Sequence, residues 1–555
     1  MDWQRNLLIG AIIIVLGLLF IRWNEFQELR RPQQESFVKE SVVVPETPDR
    51  DMVPPADGAV PEAPAEGGAE APLEPASPGD SRLVQVSTDV LNVTIDTYGG
   101  DIVRVALPEH LQSGESTDPF VLLNRTRSHT YVAQSGLVGK DGTDTNEGRP
   151  RFSVDKGSFR LAEGRDELTV ALTLRQDDAL IVKEFVFRRG DYLLDVRYRV
   201  ENTGQDPWQA ALFGQILRDD FRPPAGDGLG MQPFVGAAIT TPEENYKKLD
   251  FGDLAEKAFT VRQEGGWVAM LQHYFLSAWV PAQDANNSFR LRQLNSRDLF
   301  ALGFTSPAIS VAPGETGTVS AGFYAGPKDQ YRLEEIAPHL DLTIDYGWLW
   351  WVAKPIFALL TFIHGVVGNW GWAIILLTVL IKALFFKLSA TSYKSMAKMR
   401  KLQPEMQRLK ELYGDDRQKL SQEMMNFYKR EKVNPLGGCL PILIQMPVFI
   451  ALYWVLFESV ELRHAPWILW IEDLSQKDPY FVLPVLNGIA MFVTAQLQPE
   501  PPDPMQAKIM KLMPVAFSFL FAFFPAGLVL YWTVNSVLSI AQQWYVTRRI
   551  EAGKG

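Results

Sequence analysis

Apolar residues follow different patterns in different parts of the chain, and each pattern predicts a different kind of structure. An unbroken apolar run from Leu7 to Ile21 is long enough for a short membrane helix or a signal peptide. No small-residue cleavage signal follows it, so we expect an uncleaved anchor over residues 1–23. Residues 24–82 are rich in Pro, Ala, Glu and Gly, a composition that predicts a linker without a packed core.

From residue 83 to about residue 340, short runs alternate between apolar and polar positions. Leu194, Val196, Tyr198 and Val200 alternate with mostly charged residues, and the turn signal Asn-Thr-Gly follows at 202–204. A period of two predicts a strand with one buried face. Repeated runs of this kind between Gly, Asn and Asp turns predict one large antiparallel β-sandwich over residues 83–340.

The last two-fifths of the chain is dominated by long apolar segments. They lie at residues 348–367, 370–388, 441–460, 480–497, 509–524 and 527–546. Residues 389–436 between the second and third segments carry 11 Lys and Arg, whereas residues 461–479 carry two. The positive-inside rule places the first of these loops in the cytoplasm and the second outside.

The segment at 348–367 is the difficult one, because its composition fits a transmembrane helix. If it crossed the membrane, a β-sandwich outside would force the basic loop outside as well. We therefore expect residues 341–369 to form an amphipathic helix in the outer interface, anchored by Trp348, Trp350 and Trp351. The expected topology has six spans, both termini in the cytoplasm and the sandwich in the periplasm, with residues 370–555 as a five-helix core.

The basic loop itself predicts a cytoplasmic helical hairpin at residues 389–436. Its apolar residues recur at three-to-four spacing, Gly414 is expected to end the first helix, and Asp415 or Asp416 to cap the next. Many of these apolar residues are methionines, including Met396, Met399 and Met406. The stripe is either the seam of the hairpin or an adaptable surface for apolar partner segments.

Lys382 is the most informative residue for function, because it lies inside the second apolar segment. A lysine there costs about 2.5–3.5 kcal/mol on insertion scales, so it is functional, paired or snorkelling towards the interface. With the expected topology, other polar residues collect in the middle and inner parts of the spans: Thr378, Gln445, Thr494, Asn535, Ser536, Ser539 and Gln542. Together they predict a hydrated groove of half the membrane depth, open to the cytoplasm.

Charge and composition narrow the function further. The chain has a net charge of -11 and one cysteine, which argues against direct nucleic-acid binding, an intrachain disulfide and a cysteine-built metal site. It contains no nucleotide-binding or nucleophile-elbow motif, so we expect no enzyme activity, no cofactor and no metal. Any work on a passenger would be driven by partitioning into the bilayer and by the membrane potential.

Three runs of sequence resemble one known family. They are GGWVAMLQHYF at 265–275, NPLGGCLPILIQMP at 434–447 and GLVLYW at 527–532, and they resemble the YidC family of membrane insertases in Gram-negative bacteria. The resemblance implies an inner-membrane insertase and chaperone for nascent membrane proteins that works alone or with the Sec translocon, without ATP hydrolysis. It also implies a supersandwich-like outer domain and lateral release of hydrophobic segments into the phospholipid bilayer between the third and fifth spans.

The same resemblance assigns roles to individual residues. Lys382 stands where the family usually has arginine, and Thr378 and Gln445 match the family's groove. Met446, Phe449 and Trp532 are candidates for substrate contact, although Trp532 replaces what is often a tyrosine. The cytoplasmic hairpin is a candidate docking element for the ribosome and the signal recognition machinery.

Two other functions remain open. A transporter or channel predicts polar residues through the outer half of the spans, where this chain has mainly Phe, Leu, Val and Ile. A structural assembly factor is closer to the predicted function, and depletion separates the two: substrates of an assembly factor stay inserted but unassembled, whereas substrates of an insertase stay in the cytoplasm.

Overall fold

The computed structural model describes most of the chain and divides it into two compact units. One unit comprises Met1–Ala225 and Pro233–Ile344, and the other comprises Gly226–Gln232 and Asp345–Gly555. The described residues are 37–38, 41–42, 82–114, 116–145, 148–222, 233–294, 298–414, 416–431, 440–498 and 504–551. The predicted anchor at 1–23, most of the linker at 24–82 and the expected helix stop at Asn434-Pro435 lie outside these ranges.

The described part of the first unit is built from strands with two short α-helices and a 3₁₀ helix at Leu340–Thr343. The α-helices are α1 (Phe251–Glu256) and α2 (Gln330–Ile336). The strands are β1 (Leu83–Ser87), β2 (Asn92–Asp96), β3 (Asp101–Leu111), β4 (Pro119–Arg125), β5 (Thr130–Val138), β6 (Ser158–Arg160), β7 (Glu167–Arg175), β8 (Ala179–Arg188), β9 (Leu193–Asn202), β10 (Trp208–Asp219), β11 (Gly236–Ile239), β12 (Lys247–Leu249), β13 (Phe259–Glu264), β14 (Val268–Leu271), β15 (Phe275–Val280), β16 (Asn286–Leu294), β17 (Leu299–Thr305), β18 (Ile309–Val311) and β19 (Thr316–Pro327).

The strands form two sheets, so the predicted β-sandwich is confirmed. The 11-stranded sheet has the order β13-β16-β17-β10-β5-β4-β3-β2-β1-β6 with β18 beside β10, and the eight-stranded sheet has the order β12-β11-β14-β15-β19-β9-β8-β7. Described pairs are antiparallel except β1 with β6. On β9 the alternation read from the sequence is the observed one, since Leu194, Val196, Tyr198 and Val200 are all buried.

Aromatic side chains from both sheets meet in the core. Trp279 of β15 lies 6.1 Å from Phe304 of β17 between ring centroids, and 4.8 Å from Phe323 of β19. The Tyr131 hydroxyl is hydrogen-bonded to the Ser277 hydroxyl across the sheets at 2.8 Å. Each buried aromatic ring of this size removes a large apolar area from water, and the two faces are thereby held together.

A buried ionic cluster at the β2–β3 turn also joins the two sheets. Lys183 of β8 donates from Nζ to the carbonyl oxygens of Gly99, Gly100 and Ser135 at 3.0, 2.8 and 3.0 Å. Both glycines have positive φ, and a Cβ on Gly100 would lie 2.8 Å from the Lys183 side chain. Only glycine therefore permits this close approach of the turn to the buried ammonium.

Arg149 supplies the second cation of the cluster and pairs with two buried carboxylates. It forms an ion pair with Asp101 and donates from Nε to Asp144 at 2.7 Å. Burial lowers the pKa of Lys183 to about 7, and the carboxylate of Asp101 acts in the opposite direction. Lys183 and Asp101 thus depend on partners far away in sequence, whereas Asp144 lies only five residues from Arg149.

Replacing Lys183 by methionine should destabilise the sandwich strongly. The substitution leaves three buried carbonyl oxygens without this donor, and we expect the free energy of unfolding to fall by about 3–5 kcal/mol. Urea unfolding of the fragment 33–344, monitored by circular dichroism, measures this free energy. Lys140→Met, at an exposed position, should change the free energy by less than about 0.5 kcal/mol; equal effects of the two substitutions would contradict the structural role of Lys183.

The lowered pKa of Lys183 predicts that the stability of the β-sandwich depends on pH. This pKa is about 7 in the folded domain and about 10.4 in an unfolded chain. Between these values the unfolded chain binds more protons, so unfolding free energy should rise with pH by at most about 1.4 kcal/mol per unit. The difference between wild type and Lys183→Met should therefore grow from pH 7 to pH 9 in the same urea experiment. A difference that stays constant or shrinks would show that Lys183 remains charged.

The described part of the second unit is helical. Its helices are α3 (Trp350–Val367), α4 (Trp370–Leu384), α5 (Phe386–Lys401), α6 (Gln403–Tyr413), α7 (Arg417–Arg430), α8 (Leu440–Glu458), α9 (Val482–Leu497), α10 (Pro504–Phe521) and α11 (Ala526–Glu551). Asp416 caps α7 by accepting from the backbone N–H groups of Gln418 and Lys419, as expected for the hairpin.

Two helices differ from the segments predicted for them. The segment predicted at 370–388 is divided at Phe385, where α4 and α5 meet at an angle of 66°. The segment predicted at 509–524 lies in α10 only as far as Phe521, because α10 begins at Pro504 and ends at Phe521. Hydropathy shows which stretches of a chain are apolar. It does not locate bends and helix ends, because these depend on individual hydrogen bonds.

Helix length alone gives a limited view of the membrane spans. Among the described helices, only the helical run 347–367 is by itself long and apolar enough to cross a bilayer. The bent pair α4 and α5 passes the same test together, and apolar parts of α8, α9 and α10 are shorter. The count of six spans and the interfacial position expected for α3 therefore stay predictions.

Candidate functional site

The site begins with Lys382 in the last turn of α4, immediately before the bend. Its Nζ donates to the Ser539 hydroxyl of α11 at 2.8 Å, and Ser539 donates to the Asn535 carbonyl oxygen at 2.7 Å. The Tyr393 hydroxyl of α5 is hydrogen-bonded to Ser539 as well. One serine therefore connects the lysine, the hairpin side of the bend and the last helix.

Two glutamines fasten the bend to its neighbours. Gln542 of α11 donates to the Phe386 carbonyl oxygen, and Gln445 of α8 donates to the Ser389 hydroxyl, both at 3.4 Å. These are long hydrogen bonds, so each contributes less than a bond of ordinary length. They place polar side chains of α8 and α11 against the first turn of α5.

The predicted groove residues differ in their exposure. Lys382, Gln445, Thr494, Asn535, Ser536 and Ser539 are each partly exposed, whereas Thr378 and Gln542 are buried. The Thr378 hydroxyl bonds to the Ile374 carbonyl oxygen at 2.6 Å, and the Thr494 hydroxyl bonds to the Ala490 carbonyl oxygen at 2.9 Å. Both hydroxyl groups are therefore hydrogen-bonded within their own helices, and within the described residues neither threonine is hydrogen-bonded to Lys382.

The opposite end of the same helices is closed by apolar packing. Ile374 and Leu377 of α4 are fully buried, as are Leu474 of the loop before α9 and Val529 of α11. The backbone N–H of Gly527 donates to the Leu474 carbonyl oxygen at 2.9 Å, which fixes the loop over the start of α11. The helices therefore change from a polar to an apolar interior along their length.

The residues proposed for substrate contact lie in an aromatic cluster beside this interior. Phe449 of α8 lies 4.5 Å from Trp532 of α11 between ring centroids, and Trp532 lies 4.1 Å from Phe521 of α10. Met446, one turn before Phe449, is 46% exposed. Trp532 makes ring contacts with residues of both α8 and α10, the helices predicted as the third and fifth spans.

The chemistry available at the site is electrostatic and hydrogen-bonding. In the described ranges, no carboxylate forms an ion pair with Lys382, and no cluster of three or more His, Cys, Asp or Glu could hold a metal ion. The ammonium group thus has one hydroxyl partner and retains donors for an incoming acceptor. Such a site suits the transient binding of a polar or acidic segment.

Sequence reasoning missed three residues that the structure adds to this region. They are Ser389 and Tyr393 on α5, and Asn487 on α9, which is fully buried and lies 3.4 Å from the Ser536 hydroxyl. Asn487 could have been identified from the sequence, because an amide within an apolar segment is rare and is usually paired. The other two lay within the loop treated as hairpin.

Comparisons with known proteins agree over nearly the whole chain. Residues 83–359 match the family model of the YidC periplasmic domain, and residues 362–553 match that of the 60Kd inner membrane protein. The membrane protein insertase YidC of Cellvibrio japonicus is 56% identical, covering 99% of each chain, and that of Saccharophagus degradans is 54% identical, covering 99% of this chain and 100% of the relative. A crystal structure of an active YidC insertase covers 84% of this chain and 93% of its own at 19% identity, with a TM-score of 0.38.

Cysteine substitutions on α11 should report the change from polar to apolar interior. With Cys439 replaced by serine, we expect Ser536→Cys to react with a membrane-impermeant maleimide from one side of the membrane only, because thiolate forms in water. Val529→Cys, which is fully buried, and Val537→Cys, whose side chain is 52% exposed on the neighbouring face, should not react. Labelling in right-side-out and inverted vesicles measures this; equal reaction at 536 and 537 would contradict a groove.

Proposed function

The chain belongs to the YidC family and is a membrane protein insertase, and we propose that it moves hydrophobic segments of nascent proteins into the inner membrane through the groove at Lys382. The family match confirms the resemblance read from the sequence. The single observation that supports the groove is the Lys382 ammonium, held by one hydroxyl at 2.8 Å beside partly exposed polar residues.

The groove lowers the free-energy barrier that a polar segment of the passenger meets when it enters the inner half of the membrane. An acidic segment ahead of an apolar one would otherwise enter hydrocarbon unpaired, at a cost of several kcal/mol. The Lys382 ammonium and nearby hydroxyl and amide groups offer it partners for part of the path. The apolar packing around Val529 supports a groove that ends at half depth rather than a channel.

Energy for the movement comes from the passenger and the membrane, without ATP hydrolysis. Each Leu, Ile, Phe or Val gains about 0.3–0.6 kcal/mol at the centre of the bilayer. Moving an acidic residue towards the positive outer side gains about 2.3 kcal/mol per 100 mV. An apolar segment of 20 residues therefore has enough driving force once the barrier for its polar flank is lowered.

The aromatic cluster is the proposed exit. A passenger leaving between α8 and α10 would pass Met446, Phe449 and Trp532, whose apolar surfaces match an apolar helix. Separating Phe449 from Trp532 costs only their mutual contact, because lipid or passenger side chains replace it. The cluster would thus open for a helix and close again without it.

We place the groove mouth in the cytoplasm and the β-sandwich in the periplasm. The family match supports the inner membrane and the periplasmic domain. On α3, Ala353, Phe357 and Leu360 are buried, whereas Trp350 and Phe362 are 54% and 70% exposed. This two-faced arrangement supports α3 in the outer interface, with the spans as predicted from charge.

Partners beyond the passenger follow from the hairpin and the family. Met406 and Phe427 are buried in the seam between α6 and α7, whereas Leu412 and Met425 are 64% and 56% exposed. The hairpin therefore offers both predicted features, a seam and an adaptable apolar surface. We assign that surface to the ribosome or the signal recognition machinery, and cooperation with the Sec translocon to the membrane unit.

Lys382 substitutions in liposomes test the proposal. The purified protein should insert a small two-span client without ATP, and Lys382→Ala should slow insertion on the order of tenfold, as expected if the charge contributes about 1.4 kcal/mol to the barrier. Lys382→Arg keeps the charge and should retain most activity. Protease protection of the client measures insertion.

The matched control is Lys387→Ala, an exposed lysine on the other side of the bend, which should leave the rate unchanged. Equal insertion by all four proteins would mean that the charge plays no part. No insertion by the wild type would favour the assembly-factor alternative, in which another protein performs the insertion.

A further inference from the structure

Part of the N-terminal linker lies on the β-sandwich. Composition predicts a linker without a packed core over 24–82, yet within it Phe37 is only 8% exposed. Val42, five residues later, packs against a buried cluster of the sandwich. An apolar residue gains free energy by leaving water wherever a complementary surface exists, whatever the composition around it.

The Phe37 ring lies in an aromatic pocket. Its centroid is 6.1 Å from His129 and 5.9 Å from Phe221, which are themselves 4.3 Å apart. Asp219, at the end of β10, holds both walls: its carboxylate lies 3.3 Å from Nδ1 of His129 and accepts from the Phe221 backbone N–H at 3.2 Å. Arg218 also donates to the Phe221 carbonyl oxygen at 3.0 Å. Sandwich residues therefore build the pocket without the linker.

Side chains of the sandwich also bind the backbone of this segment. The Asn124 amide of β4 donates to the Phe37 carbonyl oxygen, and Arg104 of β3 donates to the Val38 carbonyl oxygen at 3.5 Å. Asn124 is fully buried. Phe37 and Val38 are helical, and donors aimed at two successive carbonyl oxygens beside an aromatic pocket are elements with which a protein surface binds a peptide segment.

A second apolar contact lies a few residues further on. Val42 packs on the buried cluster that contains Val103, Val132 and Leu217, and Leu83 at the start of β1 packs on the same cluster. The segment is therefore held at two places, by an aromatic residue with its carbonyl groups and by a valine. Two separated contacts fix the direction of a segment as well as its position.

We propose that Arg104, Asn124, His129 and Phe221 form a peptide-binding site of the β-sandwich, and that its occupant is the chain's own linker, bound through Phe37 and Val38 and held further on by Val42. The segment acts as a strap. The strap thereby moves the point at which the linker first contacts the sandwich from the start of β1 at Leu83 to Phe37.

Cysteine labelling in the full-length protein tests the strap. With Cys439 replaced by serine, Val38→Cys should react with a maleimide on the order of tenfold more slowly than Ser113→Cys, which is exposed on the loop after β3. Adding Phe221→Ala, which removes one wall of the pocket, should raise the rate at position 38 several-fold. Adding Phe37→Ala, which changes only the strap, should do the same.

Phe259→Ala removes another half-buried phenylalanine of the same domain and should leave the rate at position 38 low. Unchanged far-UV circular dichroism confirms that each variant is folded. The proposal is overturned if Val38→Cys reacts as fast as Ser113→Cys. It is also overturned if the rate stays low with both Phe221→Ala and Phe37→Ala.

Discussion

The Lys382 ammonium is the constraint on which the helical unit depends. A charge within a spanning helix costs about 2.5–3.5 kcal/mol, and a buried donor without an acceptor costs about 1–3 kcal/mol. Ser539 supplies the acceptor at 2.8 Å, which requires α11 to lie against the last turn of α4. Gln542, nearly one turn later, reaches the carbonyl oxygen of Phe386 beyond the bend. The same helix, α11, therefore supplies the acceptor for the Lys382 ammonium and a hydrogen bond to the bend before the hairpin.

Along α11, the same helix, the surroundings of the side chains change from apolar to polar. Val529 and Leu530 are buried against apolar neighbours, and Asn535 begins the partly exposed polar stretch about one turn later. In hydrocarbon a polar group must be satisfied by the protein or by water. Thr533, which lies between these two stretches, is buried and donates its hydroxyl to the Val529 carbonyl oxygen at 2.8 Å, within its own helix. Water or a passenger is therefore required only from Asn535 onwards. This gradient favours the proposed groove over a channel, which needs partners along its whole length.

Features that depend on the local periodicity of apolar residues could be predicted from the sequence. Features that depend on contacts between residues far apart in the sequence could not. The alternation on β9 follows from strand geometry, and Asp416 caps its helix through its nearest neighbours. The cluster of Lys183 joins β8 to a turn 83 residues away, and no local pattern encodes that contact. For the site, Lys382 was identified by its cost in an apolar segment, whereas Tyr393 was not, because only the bend at Phe385 brings it to Ser539.

The geometry around Lys382 also suits a lysine at the position where the family resemblance implies an arginine. An ammonium is a compact donor on a flexible stem, and a single acceptor holds it. Ser539 offers one hydroxyl oxygen and uses its own hydrogen for the Asn535 carbonyl. A guanidinium is a rigid fork that is best satisfied by two acceptors in a plane, and one serine satisfies only half of it. A lysine is thus satisfied by fewer acceptors from the protein, and under the proposed function its remaining donors would be available to a passenger carboxylate in any orientation.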